Sequence, residues 1–167
     1  MPDRSTEYLD PFIIAERGRS YTGTIALSQL DRLGNSLVDN RGDVRYALHF
    51  AKEDKVYAVA GQFKADLFLE CSVCLDKMIY PVEAHTKLGM VSSLDEAALL
   101  PEAFEPLLVV NRQLRIKEIV EEELLLAIPI IPRHAECRIA NPSDQPPMSR
   151  MNNPFSILAN LKLRGDR

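Results

Sequence analysis

The sequence is poor in the residues that several common functions require. It has no tryptophan, seven glycines and three cysteines among 167 residues. The scattered glycines form no phosphate-binding loop and no Gly-x-Ser-x-Gly nucleophile turn, so the usual signatures of nucleotide binding and acyl transfer are missing. Any aromatic stacking would fall to tyrosine and phenylalanine. An odd number of cysteines fits reduced thiols in the cytoplasm better than a secreted disulfide framework.

The chain also lacks an excess of positive charge. The formal net charge is −4, whereas domains that bind nucleic acid by neutralising its phosphates carry a basic excess. Contact with RNA would therefore need a local basic patch. The candidate cations for such a patch are Arg112, Arg115 and Lys117, together with the tail residues Lys162, Arg164 and Arg167.

Long hydrophobic runs are also absent. The first ten residues contain no apolar segment of the kind found in signal peptides, so we expect no secretion signal. The longest apolar stretch, Leu124 to Pro132, contains two prolines and is far too short to cross a membrane. We expect a cytoplasmic protein with no membrane partner, and no small-molecule substrate is evident.

Hydrophobic residues alternate with a period of two through the middle of the chain, which predicts consecutive antiparallel strands. Short charged or cysteine-containing turns separate these segments, and Gly61 is expected to form a bulge or a bend. Shorter strands are expected at Tyr21–Ile25 and Leu107–Val110. The main strands are predicted at Val44–Phe50, Val56–Leu69 and Met78–Met90.

Helical periodicity appears in two places. Ser28 is a suitable N-cap for a helix that ends near Gly42. Residues 116–128 form the strongest helix, which Pro129 ends. Phe12–Ile14 is interpreted as a short strand or arm. The predicted fold is α+β, with an antiparallel β-sheet meander flanked by two or three α-helices.

The domain prediction follows composition. Residues 1–138 are expected to form a single α+β domain. Residues 139–153 are rich in proline, asparagine and serine, which is typical of a flexible linker. Residues 154–167 are expected to form a C-terminal helix and a basic tail.

Two short motifs contain metal-ligand residues. Cys71-x-x-Cys74 lies at a predicted hairpin turn, and His134-x-x-Cys137 follows about sixty residues later. Together they make a Cys3His set, which is a complete tetrahedral inventory for structural zinc. The long gap leaves two alternatives open: inert reduced thiols, or a redox dithiol at Cys71 and Cys74. The neighbouring Glu70 and Asp76 disfavour a thiolate, and so disfavour the redox interpretation.

One carboxylate stands out in the predicted helix 116–128. At 100° per residue Glu123 falls between Ile119 and Ala127, inside the apolar stripe. A buried carboxylate needs a partner or a raised pKa. Glu123 is therefore either an edge residue paired to a surface cation or part of a buried ion pair or binding site.

Several segments, taken in order, resemble the YceD family of large ribosomal RNA subunit accumulation proteins. The most specific are the cysteine turn, Leu69-Glu70-Cys71-x-x-Cys74, and the acidic helix from Val120 to Pro129. Similarity extends over nearly the whole chain. The other segments are Leu9–Pro11, Tyr21–Gly23, Leu100–Pro106, His134 with Cys137, and Asn153–Ala159.

The resemblance implies a non-enzymatic cytoplasmic factor needed for synthesis, processing or stability of 23S ribosomal RNA, and hence for the large ribosomal subunit. It implies ribosomal RNA or a ribosome-assembly protein as partner. Some relatives have a second Cys-x-x-Cys where this chain has His134-x-x-Cys137, which supports structural zinc. Two alternatives remain: a thiol redox protein, and a zinc-stabilised adaptor without an RNA role.

Overall fold

A computed structural model describes residues 8–137, in which helices pack against a five-stranded sheet. The predictions for residues 139–167, including Lys162 and Arg164, lie outside the described residues. The strands are β1 (Ser20–Ala26), β2 (Asp43–Glu53), β3 (Val56–Glu70), β4 (Lys77–Val91) and β5 (Glu105–Leu108). The helices are α1 (Pro11–Glu16), α2 (Asp31–Gly34), α3 (Leu94–Ala97) and α4 (Ile116–Ala127).

The sheet follows the chain order β1-β2-β3-β4-β5. The first four strands form the predicted antiparallel meander. The prediction of a wholly antiparallel sheet is wrong for the last strand. Strand β5 runs parallel to β4, with Leu88 opposite Glu105 and Val91 opposite Leu108. The connection of residues 92–104 includes α3 and is long enough to bring the chain back alongside the last four residues of β4, in the same direction, which a parallel pairing requires. The sheet is therefore mixed.

The core lies between the sheet and the helices. Alternate residues of β2, β3 and β4 point to this side, and Phe50, Phe63 and Leu67 are almost completely buried. Ile116, Val120 and Leu124 of α4 cover them from the other side. Burying a large apolar side chain contributes roughly 1.5–3 kcal/mol, so this layer holds the fold together. The opposite face of the sheet is largely exposed.

Gly61 does not form the predicted bulge. It pairs in regular register with Leu48 on one side and Thr86 on the other. A Cβ atom built on it would lie 2.7 Å from the Phe63 ring. Glycine is needed here because a side chain packs directly over the backbone, which is the second common reason for a glycine inside a strand.

Two predicted elements near the N-terminus are wrong. Phe12–Ile14 belongs to helix α1, whose N-cap Asp10 accepts hydrogen bonds from the amides of Phe12 and Ile13. Asp followed by Pro11 is a standard helix start that the prediction overlooked.

The helix predicted from Ser28 to Gly42 is also wrong in extent. The chain forms a 3-10 turn at Leu27–Gln29 and then the single turn α2. Gly34, Asn35 and Ser36 are poor helix residues. The chain beyond them returns to the sheet, where the Val38 amide donates to the Phe68 carbonyl at 2.8 Å. This pairing beside β3 replaces the predicted helical turns.

Helix α4 confirms the strongest helical prediction. It spans Ile116–Ala127 and stops just before Pro129, with one apolar face turned to the sheet. No helix between residues 8 and 137 combines the length and apolar character needed to span a bilayer.

Candidate metal centre

A tight turn joins β3 to β4. The strands pair up to Glu70 and Lys77, and residues 71–76 form the loop between them. The Cys71 amide donates to the Asp76 carbonyl, and the Leu75 amide donates to the Cys71 carbonyl, each at 2.9 Å. Leu75 takes the left-handed conformation with φ of 63°. The loop folds back on itself and brings the Cys71 and Cys74 sulfurs to the same place.

The second ligand pair comes from the segment after α4. The Ser72 amide donates to the Pro132 carbonyl at 2.8 Å, which ties this segment to the cysteine turn. A further turn follows, in which the Cys137 amide donates to the His134 carbonyl at 3.2 Å. These two backbone contacts place His134 and Cys137 over the turn despite their distance in sequence.

The four side chains converge. Their ligand atoms all lie within 4.8 Å of one another. The Cys71 and Cys137 sulfurs are 3.8 Å apart, and the Cys74 sulfur is 3.5 Å from His134 Nδ1. Zinc–sulfur bonds of about 2.3 Å and zinc–nitrogen bonds of about 2.0–2.1 Å give tetrahedral edges of about 3.8 Å between sulfurs and about 3.5 Å from sulfur to nitrogen. These two distances therefore fit a zinc ion.

The electrostatics differ from the sequence prediction. The backbone amide of Cys74, together with those of Val73 and His134, points at the Cys71 sulfur and lowers the pKa of its thiol to about 5, although burial opposes this. Burial, with the Cys74 and Cys71 sulfurs nearby, raises the pKa of Cys137 to about 11. The acidic neighbours Glu70 and Asp76 suggested that no thiolate would form. The amides of the turn, which sequence does not show, reverse this for Cys71.

The cluster stands alone among the described residues. Between residues 8 and 137 no other group of three or more histidine, cysteine or acidic side chains is arranged to hold a metal ion. All three cysteines are free thiols. Cys71 is fully buried, His134 and Cys137 are half-buried, and Cys74 is exposed. The site therefore lies at the surface end of the hairpin, with one sulfur set into the core.

Comparison with known proteins identifies the family. The family described as "Large ribosomal RNA subunit accumulation protein YceD" matches residues 59–162, a range that includes all four candidate ligands. The chain is also similar to the large ribosomal RNA subunit accumulation protein YceD of Haemophilus influenzae. The two are 31% identical over 164 residues, covering 92% of this chain and 94% of the relative. The chain belongs to the YceD family. No solved structure matches it significantly.

The predicted basic patch of this YceD-family chain is engaged in internal contacts. Arg112 bonds the N-cap carboxylate of Asp10 at 2.9 Å. Arg115 stacks over the Tyr8 ring and hydrogen-bonds its hydroxyl. The Lys117 ammonium lies 3.5 Å from Asp31. The three cations stay predicted binding residues, but each already has an anionic or aromatic neighbour within the fold.

The buried carboxylate of α4 is Glu121, not Glu123. Glu121 is 6% exposed and accepts hydrogen bonds from the backbone amides of Arg32 at 2.7 Å and Leu33 at 3.1 Å. These are the free amides at the start of α2, whose own N-cap residue Leu30 has no polar side chain. Glu121 thus caps α2 from another helix. No sequence pattern indicates this contact, because it depends on how α2 packs against α4.

Glu123 is half-buried and faces a different neighbour. Burial raises the pKa of its carboxyl, the Thr86 hydroxyl opposes this, and the nearby Glu105 and Glu122 raise the pKa further. Glu105 is the first residue of β5 and was not singled out from sequence. No cation partners either Glu105 or Glu123 among the described residues.

Proposed function

We propose that this chain is a non-enzymatic accessory factor in the accumulation of 23S ribosomal RNA, and hence in building the large ribosomal subunit. The observation that carries the proposal is the relationship to the Haemophilus influenzae protein of that name, which extends over almost the full length of both chains. Similarity over the whole chain supports a shared cellular role more strongly than similarity confined to one domain would.

The candidate metal centre supports a role without turnover. We infer that Cys71, Cys74, His134 and Cys137 hold one structural zinc ion. Catalytic zinc sites keep a position free for water or substrate, whereas four protein ligands close the coordination sphere. Zinc here would join the hairpin turn to the segment after α4, and the chain's own backbone contacts already align the two.

The thiol redox alternative is less well supported. A redox dithiol needs a nucleophilic thiolate that can reach another molecule. The cysteine whose pKa is low is Cys71, which is fully buried, whereas the exposed Cys74 lies against His134. An adaptor without an RNA role would have the same metal centre, and only the family relationship favours ribosomal RNA over it.

Complementation of a deletion strain tests the proposal. We expect deletion of the gene to lower 23S relative to 16S ribosomal RNA, and to lower the ratio of large to small subunits on a sucrose gradient. A plasmid copy of the wild-type chain should restore both ratios. Unchanged ratios in the deletion strain would refute the proposed function, whatever the metal content of the protein.

A further inference from the structure

A groove of about 800 Å³ runs beside α4. Strand β5 and the segment after it form one wall, and α4 forms the other. Asp31 and Arg32 of α2 close one side. Because β5 is the edge strand of the sheet, the described chain places no further strand over this side of the groove.

Apolar side chains in the groove are left open to solvent. Leu108 is 47% exposed, Val110 62% and Leu126 70%. Single exposed leucines are ordinary, but exposed apolar residues that share one concave surface commonly mark an interaction site. The groove therefore offers apolar contact area to a partner.

The charges around the groove are unbalanced. Among its lining residues, Arg32 pairs with Glu122 at 2.6 Å, Arg115 with Glu118 at 3.4 Å and Lys117 with Asp31 at 3.5 Å. Glu121 is satisfied by backbone amides. Glu105 and Glu123 are left without a cation, one on each wall. Burial is the main cause of the raised pKa of Glu123; the Thr86 hydroxyl opposes it, and the like charges of Glu105 and Glu122 add to it.

The arrangement favours one class of partner. A bound metal ion is disfavoured, because the groove carboxylates do not form a cluster of three within ligand distance. Nucleic acid is disfavoured, because its phosphates would meet unpaired carboxylates. A cation carried on a polypeptide fits, since it can neutralise Glu105 and Glu123 while neighbouring apolar side chains cover Leu108, Val110 and Leu126.

We propose that the groove between α4 and β5 binds a basic polypeptide segment of a partner protein, with lysine or arginine side chains at Glu105 and Glu123 and apolar side chains over Leu126. The cellular meaning of this binding rests on the proposed function, in which a ribosome-assembly protein is one expected partner. The binding itself is a property of the groove and can be measured separately.

The test uses the full chain and a fluorescein-labelled peptide of alternating lysine and leucine. A glutamate–leucine peptide of equal length and a labelled polyuridine are compared by fluorescence anisotropy. We expect the basic peptide alone to bind. The double variant E105Q/E123Q should weaken binding about tenfold, since loss of two ion pairs at up to about 1 kcal/mol each corresponds to that change.

A matched control separates the groove from net charge. The variant D43N/D66N removes two carboxylates from the exposed opposite face of the sheet, where neither has an ion-pair partner in the described chain. It should bind the basic peptide like wild type. Leu126→Ser tests the apolar part at an exposed position, so folding should be preserved, and binding should fall severalfold.

Four results would overturn the proposal. They are equal affinity for the acidic peptide, equal weakening by both double variants, polyuridine binding that E105Q/E123Q abolishes, and a self-associated dimer that the same variant disperses. The assay contains no ribosomal RNA, so failure of peptide binding leaves a deletion phenotype standing. A normal deletion strain likewise leaves measured peptide binding standing.

Discussion

The cysteine cluster and the α4–β5 groove are opposite kinds of site. In the cluster, four donor groups lie within 4.8 Å of one another, and two of their separations match those around one tetrahedral zinc ion. In the groove, the carboxylates of Glu105 and Glu123 repel each other and have no cation partner among the described residues, and apolar side chains beside them are open to solvent. A closed set of ligands is suited to holding the fold, whereas an open set is suited to binding something else. We therefore assign stability to the first and recognition to the second.

The strongest test of this comparison, and the largest expected effect, is the removal of one ligand from the cysteine cluster. Cys71→Ser should abolish stoichiometric zinc, measured by elemental analysis of the purified protein. If zinc binds the folded state alone, free zinc at a thousand times its Kd adds about 4 kcal/mol of stability, which the variant should lose. Chemical denaturation with and without a chelator measures this difference.

Ser72→Ala is the matched control in the same turn. It keeps the backbone amide that bonds Pro132, so it should retain zinc and its stability. If the wild-type protein contains no zinc, and Cys71→Ser unfolds at the same denaturant concentration, the cluster is not a structural metal site.

The next largest effect concerns the two kinds of glutamate in α4. Glu121→Ala should lower the free energy of unfolding by about 2–3 kcal/mol, because it leaves the amides of Arg32 and Leu33 without their acceptor. Glu122→Ala removes only an exposed pair with Arg32 and should cost less than about 1 kcal/mol. Equal losses in the two variants, measured by urea denaturation, would contradict the capping role of Glu121.

The glutamates of α4 show which features of the structure can be predicted from the sequence and which cannot. Local patterns predicted the four antiparallel strands and helix α4, and placed the last strand two residues late, because alternation and helical periodicity are properties of neighbouring residues. They also named the four residues that the structure brings together as candidate metal ligands. Residue type alone suggested that Cys74 and His134 converge. Whether they do depends on the path of the chain after α4, which no local pattern predicts. The buried role of Glu121, the parallel direction of β5 and the low pKa of Cys71 depend on packing and backbone amides that no local pattern reveals.

A pair of glycine substitutions tests the sheet that connects the two sites. Gly61→Ala should destabilise the protein by about 1–3 kcal/mol, because the added methyl group would overlap the Phe63 ring and Thr86. Gly34→Ala has nothing within 4 Å of the new atom, and its backbone is helical. It should be neutral or stabilising by up to about 1 kcal/mol. Thermal unfolding of both variants checks the difference, and a stable Gly61→Ala protein would show that this backbone approach is not tight.

The smallest expected effect is a pH-dependent change in stability that comes from Glu123 in the α4–β5 groove. Burial and like charges raise the pKa of Glu123 in the folded state. A raised carboxyl pKa contributes stability that is fully present below the unfolded value and is lost as pH rises through the folded value. Glu123→Gln removes this loss, so the variant should be more stable than wild type at pH 7, by about 0.5 kcal/mol.

The gain should shrink to zero as pH falls below the unfolded pKa. Denaturation midpoints measured from acid to neutral pH give this profile, and D66N on the far side of the sheet is the control. A Glu123→Gln variant that loses stability at pH 7 would mean that its carboxylate already has a favourable partner. The groove carboxylate, like the donor groups of the cysteine cluster, would then be satisfied within the fold. The distinction between the two sites would fail.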